Sequence, residues 1–203
     1  QNFAFGNSFV IDSAGVNNAA LADSGLDSVA EDLSKEAAQD AVRMTFDYDP
    51  LTIDVLYSAI DQGSVNDNKI TDETDLYGIN VGYQVDDEKA TMVEGYVWVK
   101  NQDSGDEIYM PGVRGTMNVL DGWNLQAEAA AQMGTVTLAG DEADRRAYAA
   151  QVLSNYMLPF EKAKKYQPVL GLAYTIYTGD KNPTSVSGDD DYTAWDPMYE
   201  NQN

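Results

Sequence analysis

Carboxylates are the main chemical resource of this sequence. Its 203 residues hold 34 Asp and Glu against 12 Lys and Arg, a formal charge of −22, with no His and no Cys. Two carboxylates brought together, such as Asp54 and Glu94, can do general acid and base work, but only in a closed pocket that sets their protonation states apart. Without His or Cys there is no imidazole base, thiolate nucleophile or disulfide, and the common zinc and haem ligand sets are excluded. Nothing in the spacing builds an enzyme site, so the expectation is a protein that does no covalent chemistry. Oxygen donors crowd at Asn66, Asp67, Asn68, Asp72 and Glu73, and again at Asp180, Asp189, Asp190 and Asp191. Such clusters suit Ca²⁺, the one cofactor the sequence suggests, but neither has EF-hand spacing and a solvated acidic loop is the plainer alternative. The acidic excess also argues against nucleic acid as a partner, because phosphate binding needs surplus Lys and Arg.

The elements that must carry these groups read as strands. Apolar residues recur with a period of two in Val42, Met44, Phe46 and Tyr48, and again in Leu51, Ile53, Val55, Tyr57 and Ala59. Tyr77, Ile79, Val81, Tyr83 and Val85 repeat the pattern, as do Leu125, Ala127, Ala129, Ala131 and Met133. Between them stand small or polar residues, so each segment has one greasy face and one wet face. Less regular strands are expected from about Gln1 to Ile11, Ala90 to Lys100, Ile108 to Val119, Arg146 to Tyr156 and Gln167 to Thr178. Strands of about ten residues suit a tilted crossing of a membrane's apolar band better than an ordinary globular sheet. No apolar run approaches the ~20 residues of a spanning helix, and the sequence opens at Gln1 inside a strand-like pattern and not in a basic, hydrophobic signal segment, so a mature product or a fragment is expected.

The connections add an independent clue. Short ones are expected at Asp49-Pro50, Asp86 to Lys89, Leu120 to Gly122 and Met157 to Tyr166. Long ones are expected at Asp12 to Asp40, Asp61 to Asp75, Asn101 to Glu107, Thr135 to Arg145 and from Gly179 onward. Their alternation puts the long loops at one end, the pattern of a transmembrane β-barrel whose long loops face outward. Across residues 11–40, 61–75, 101–107, 134–146 and 179–203 that end carries 24 acidic and 5 basic residues. Such acid either keeps a surface solvated or biases which ions enter. One long connection places Leu26, Val29, Ala30, Leu33 and Ala37 at spacings of three and four, predicting a short amphipathic helix between Ser24 and Ala41. It either narrows a lumen or lies over the rim.

A soluble β-sandwich or lipocalin-like barrel would also alternate. Strand length weighs against it, as do the wet faces of Gly78, Asn80, Gly82, Gln84 and of Asn124, Gln126, Glu128, Gln132. About nine strands is an odd count that fails to close a bacterial barrel. The expectation is therefore all-β: residues 1–203 as one incomplete segment of an outer-membrane barrel, an antiparallel meander with one short helix in a long loop.

Particular motifs resemble the alginate-export family of outer-membrane barrels. They are Gln1-Asn2-Phe3-Ala4-Phe5-Gly6-Asn7, Arg43-Met44-Thr45-Phe46-Asp47, Leu76-Tyr77-Gly78, Tyr109 to Arg114, and Glu128 to Gly134. Tyr174 to Asp180 with Asn182-Pro183, then Trp195-Asp196-Pro197-Met198-Tyr199, is similar to that family's small-Gly-Asp loop and its aromatic end. The resemblance implies an eighteen-stranded single-chain channel, of which about nine strands would be present, in the outer membrane of a Gram-negative bacterium beside lipid and lipopolysaccharide. It also implies an Arg- and Lys-rich lumen for a polyuronate. Only Arg43, Lys100 and Arg114 qualify on these walls, with Arg146 at a rim, so the resemblance speaks for fold and class rather than for alginate as the permeant.

The candidate lumen residues are Arg43, Asp47, Asp54, Glu94, Lys100, Arg114 and Glu128. Arg43 and Asp47 share one face of a strand, and Arg114 and Glu128 can meet across a hairpin. Opposed charges of this kind either orient permeants or merely satisfy one another. The function expected is passive diffusion of small hydrophilic solutes or ions. The alternative is a structural or adhesion barrel within a larger surface assembly.

Overall fold

The structure, a computed structural model, describes residues 4–6, 9–12, 40–61, 73–102, 105–138, 141–159, 166–181 and 191–196. Alternation of apolar and polar residues produces eight consecutive strands: β3 (Asp40–Tyr48), β4 (Leu51–Asp61), β5 (Glu73–Asp86), β6 (Thr91–Gln102), β7 (Glu107–Leu120), β8 (Trp123–Leu138), β9 (Asp141–Met157) and β10 (Val169–Tyr177). Each pairs antiparallel with its neighbour in sequence, so the sheet is an uninterrupted meander with β3 and β10 at its ends. Two short strands, β1 (Ala4–Phe5) and β2 (Ile11–Asp12), form a separate ladder. No helix occurs among the described residues, and none of them forms a helix long and apolar enough to cross a membrane.

Three expectations change. The segment from Gln1 to Ile11 does not join the meander; the chain turns at Gly6, with φ at +63°, and carries Phe5, Phe9, Val10 and Ile11 onto one face of the large sheet. Burying two rings and two aliphatic side chains there removes more apolar surface from water than an edge strand would. The interval from Thr135 to Arg145 is no long loop, because β8 and β9 stay paired from Thr135↔Asp144 to Leu138↔Asp141. The β-branched Thr135, Val136 and Thr137 favour this continuation. The connection between β9 and β10 spans residues 158–168, so short and long connections do not alternate strictly. The predicted helix lies outside the described residues except for Asp40 and Ala41, which open β3.

Register gives every strand two chemically distinct faces. One face is apolar: Val42 and Phe46 on β3 sit opposite Tyr57 and Ile53 on β4, which sit opposite Tyr77 and Val81 on β5. The row continues through Val99 to Tyr109. This face is open to the surroundings, with Leu172 on β10 at 70% exposure and Tyr148 on β9 at 61%. The other face holds the buried cluster of Phe5, Phe9, Val10 and Ile11 against Leu56, Leu76, Tyr96, Trp98 and Met110. It also holds the buried polar residues Asp54, Ser58, Asn80, Glu128 and Gln132. Ile53, Val55, Ile79, Val81, Leu170 and Leu172 therefore do not share an interior, which is what a soluble sandwich would require.

Candidate functional site

The inner face is built in cross-strand rows. One row runs Thr52, Gly82, Glu94, Arg114, Glu128, Gln151 and Thr175 across seven successive strands. Because a strand's side chains repeat every second residue, all seven lie on one face. Arg114 forms an ion pair with Glu94 on β6 and donates through Nη2 to Gln126 Oε1 at 3.1 Å. Asn80 donates to the other oxygen of Glu94 at 3.5 Å, and Gln126 donates to Asn124, which donates to Asn118 at 2.9 Å. A polar chain thus runs from the middle of the wall to the rim at the β7–β8 turn.

All seven expected lumen residues lie on this face, but their partners differ from those expected. Arg43 is held by Asp54 on the next strand, through Nη2 and Nε at 2.8 Å each, and not by Asp47 on its own. Thr45 donates to the same Asp54 oxygen at 2.6 Å. Asp47 stands exposed near the rim, accepting from Thr52 at 3.4 Å. Arg114 and Glu128 are directly opposite in register, as expected. Glu128 accepts from the Tyr96 hydroxyl at 2.8 Å, a bond shielded from solvent. Lys100 reaches Asp196, ninety-six positions later, at 3.3 Å. The Arg43 and Arg114 guanidinium groups and the Lys100 ammonium each face a carboxylate, and such paired charges create local transverse fields.

Some residues of this face escaped the sequence reading. Tyr96 and Trp98 have the same parity as Glu94 and Lys100, and that parity alone would have put them inside. Trp98 is fully buried, its ring 4.6 Å from that of Phe5, and Arg43 lies over the Phe5 ring at 4.8 Å. Arg145, buried at 5% exposure, sits under residues 191–196, and no local signal announces that contact.

Of the oxygen clusters, Asp67, Asp72, Asp189 and Asp190 lie outside the described residues, and Glu73 opens β5. Asp180 accepts from the Thr193 amide and hydroxyl at 2.9 and 3.1 Å, and Asp191 pairs with Arg146 at 3.2 Å. No group of three or more acidic side chains able to hold a metal occurs among the described residues.

The outer face has its own order. Between the level of Tyr48 and Tyr83 and that of Tyr57, Tyr77 and Tyr109 it carries no charged residue. Tyr57 donates to Asp75 at 2.9 Å and Tyr109 to Glu107 at 2.7 Å, so the rings stay with the apolar band while the hydroxyls meet carboxylates at its edge. Amphipathic rings at both edges of an apolar band match the aromatic girdles of membrane barrels. No protein-family model matches the chain, and neither a curated protein nor a solved structure does. The likeness to the alginate-export family rests on the quoted motifs alone.

Proposed function

We propose that the chain is part of an outer-membrane β-barrel of a Gram-negative bacterium and serves passive diffusion of small hydrophilic solutes or ions. The observation that carries this reading is the inversion of the two faces. Between its two tyrosine levels the face exposed on β3 to β10 carries no charge, with Arg146 standing at the edge on β9, while Arg43, Asp54, Glu94, Lys100, Arg114 and Glu128 all lie on the opposite face. A soluble domain rarely leaves so large a contiguous apolar surface open to water. In lipid that surface is solvated, and the inner charges would border a wet lumen. β3 and β10 end the sheet and do not pair with each other among the described residues, and in this reading further strands cover those two edges.

Polar solutes would be screened by width and by the paired wall charges, with no covalent step. Planar-bilayer recordings of the purified full-length protein test this reading. Discrete conductance steps are expected; a protein that is monodisperse in water without detergent would overturn membrane insertion. The structural or adhesion barrel is a second reading, favoured by the cluster of Phe5, Phe9, Trp98 and Trp195 on the inner face. Tight insertion into liposomes with no conductance would select it.

A further inference from the structure

Residues 191–196 do not trail away from the sheet; they start alongside β9, where Tyr192 pairs in parallel, and reach over the inner face to Gln132 on β8 and Lys100 on β6. The crossing begins where Tyr192 bridges to Arg145, its amide donating to Asp144 O at 2.8 Å and its carbonyl accepting from the Arg146 amide at 2.9 Å. The Arg145 guanidinium lies over the Tyr192 ring at 5.1 Å and donates to Ala194 O at 3.0 Å. Trp195 bonds back to Thr178 O at 3.0 Å, and its ring stacks on Phe9 with centroids 6.2 Å apart. Asp196 then makes a reciprocal pair with Gln132, amide to side-chain oxygen at 2.9 Å and side-chain nitrogen to carbonyl at 2.7 Å. Its carboxylate reaches Lys100 at 3.3 Å.

The direction of this strap follows the charges of the wall. Lys100 on β6 pairs with Ile108, Ile108 with Gly134, and Gly134 with Arg145 on β9. The two cations therefore sit on one cross-strand row, and the strap reaches both of its ends. It supplies a carbonyl dipole to one cation and a full negative charge to the other.

We infer that Asp196 is a specificity-determining residue of the passage: its carboxylate cancels the Lys100 charge while the Ala194 carbonyl and the Tyr192 ring partly screen Arg145, which makes that level of the wall less favourable to anions than the bare Lys100 and Arg145 row would be. This inference rests on the channel reading above. Asp196 is suited to the role because its backbone, through Gln132, fixes the strap while its side chain alone handles the charge. The two jobs are separable by substitution.

Asp196→Asn retains both backbone bonds to Gln132 and removes the negative charge. In planar bilayers under a salt gradient, the full-length variant is expected to shift its reversal potential toward anions relative to the parent. Adding Lys100→Gln to Asp196→Asn should return it. No shift in the single variant, or an equal shift in the double, overturns the inference. Seating of the strap is read separately from current. The chain has no Cys, so a Lys100→Cys/Asp196→Cys pair can be joined by a short bifunctional thiol reagent in the folded, membrane-inserted protein. Failure to cross-link overturns the strap itself. If the Cys pair cross-links but the parent protein passes no current, the channel reading falls, and the role given to Asp196 with it.

Discussion

Gly78 on β5 lies directly opposite Trp98 on β6, and the indole occupies the space a side chain at position 78 would need. A Cβ there would run into the Trp98 ring and the Val97 carbonyl. Gly112 stands in the same relation to Tyr96 across the β6–β7 pair. Two glycines thus let two large rings lie flat on the inner wall, where they support Phe5 and the Tyr96–Glu128 bond.

Gly78→Val should therefore destabilise the fold by about 1–3 kcal/mol through overpacking. Gly95→Val, on the outer face with open space at its Cβ, should change stability by less than about 1 kcal/mol. Urea or thermal unfolding in the same detergent compares them. Equal losses at the two sites would refute the packing account.

The Glu94–Arg114 pair is nearly closed to solvent, with side-chain exposures of 12% and 11%. Arg114→Ala leaves a shielded carboxylate without its cation, and a loss of about 1–3 kcal/mol is expected. Glu94→Gln combined with Arg114→Gln should cost less than the sum of the two single changes, by about 0.5–3 kcal/mol of coupling. Strict additivity in that cycle would show that the pair is not energetically linked.

Val97 lies on the exposed apolar face at 43% exposure. Introducing Arg there should cost about 2–4 kcal/mol if the face meets lipid near the bilayer midplane. In water the same substitution at an exposed site would fall within about 0.5 kcal/mol. Folding yield and unfolding midpoint in lipid vesicles separate the two figures, and a small effect would place this face in water.

The acidic excess of residues 11–40, 61–75, 101–107, 134–146 and 179–203 predicts a modest cation preference at low salt. The preference should shrink as ionic strength rises, because the Debye length is only ~8 Å at physiological salt. Reversal potentials measured across a series of salt gradients check both statements. Anion selectivity that survives neutralisation of Arg43, Lys100, Arg114 and Arg145 would place the controlling charges outside residues 1–203.

What the chain determines locally is the sidedness of its strands. A period of two is a property of extended backbone, so Val42, Tyr57, Ile79 and Val97 belong to one face and Arg43, Asp54, Glu94 and Lys100 to the other before any contact is known. Turn chemistry at Asp49-Pro50 and Asp121-Gly122 likewise marks where strands reverse. Partner choice is another matter. Arg43 has Asp47 on its own strand and Asp54 on the next, and only the register, which places Met44 opposite Val55, brings the second within bonding distance. Register sets Arg114 opposite both Glu94 and Glu128, and the side-chain contacts then join Arg114 to Glu94 while Glu128 accepts from Tyr96. Contacts between distant segments were less legible still. Gln132 and Asp196 are sixty-four positions apart, and Phe9 meets Trp195 from the other end of the described chain. No periodicity encodes such contacts, because they arise when the assembled sheet offers a face that two remote segments can cover. The N-terminal residues carry an alternating pattern and yet leave the meander. Tertiary structure decided this, since packing Phe5 and Phe9 against the Trp98 and Tyr177 rings outweighs the pairing of one more edge strand.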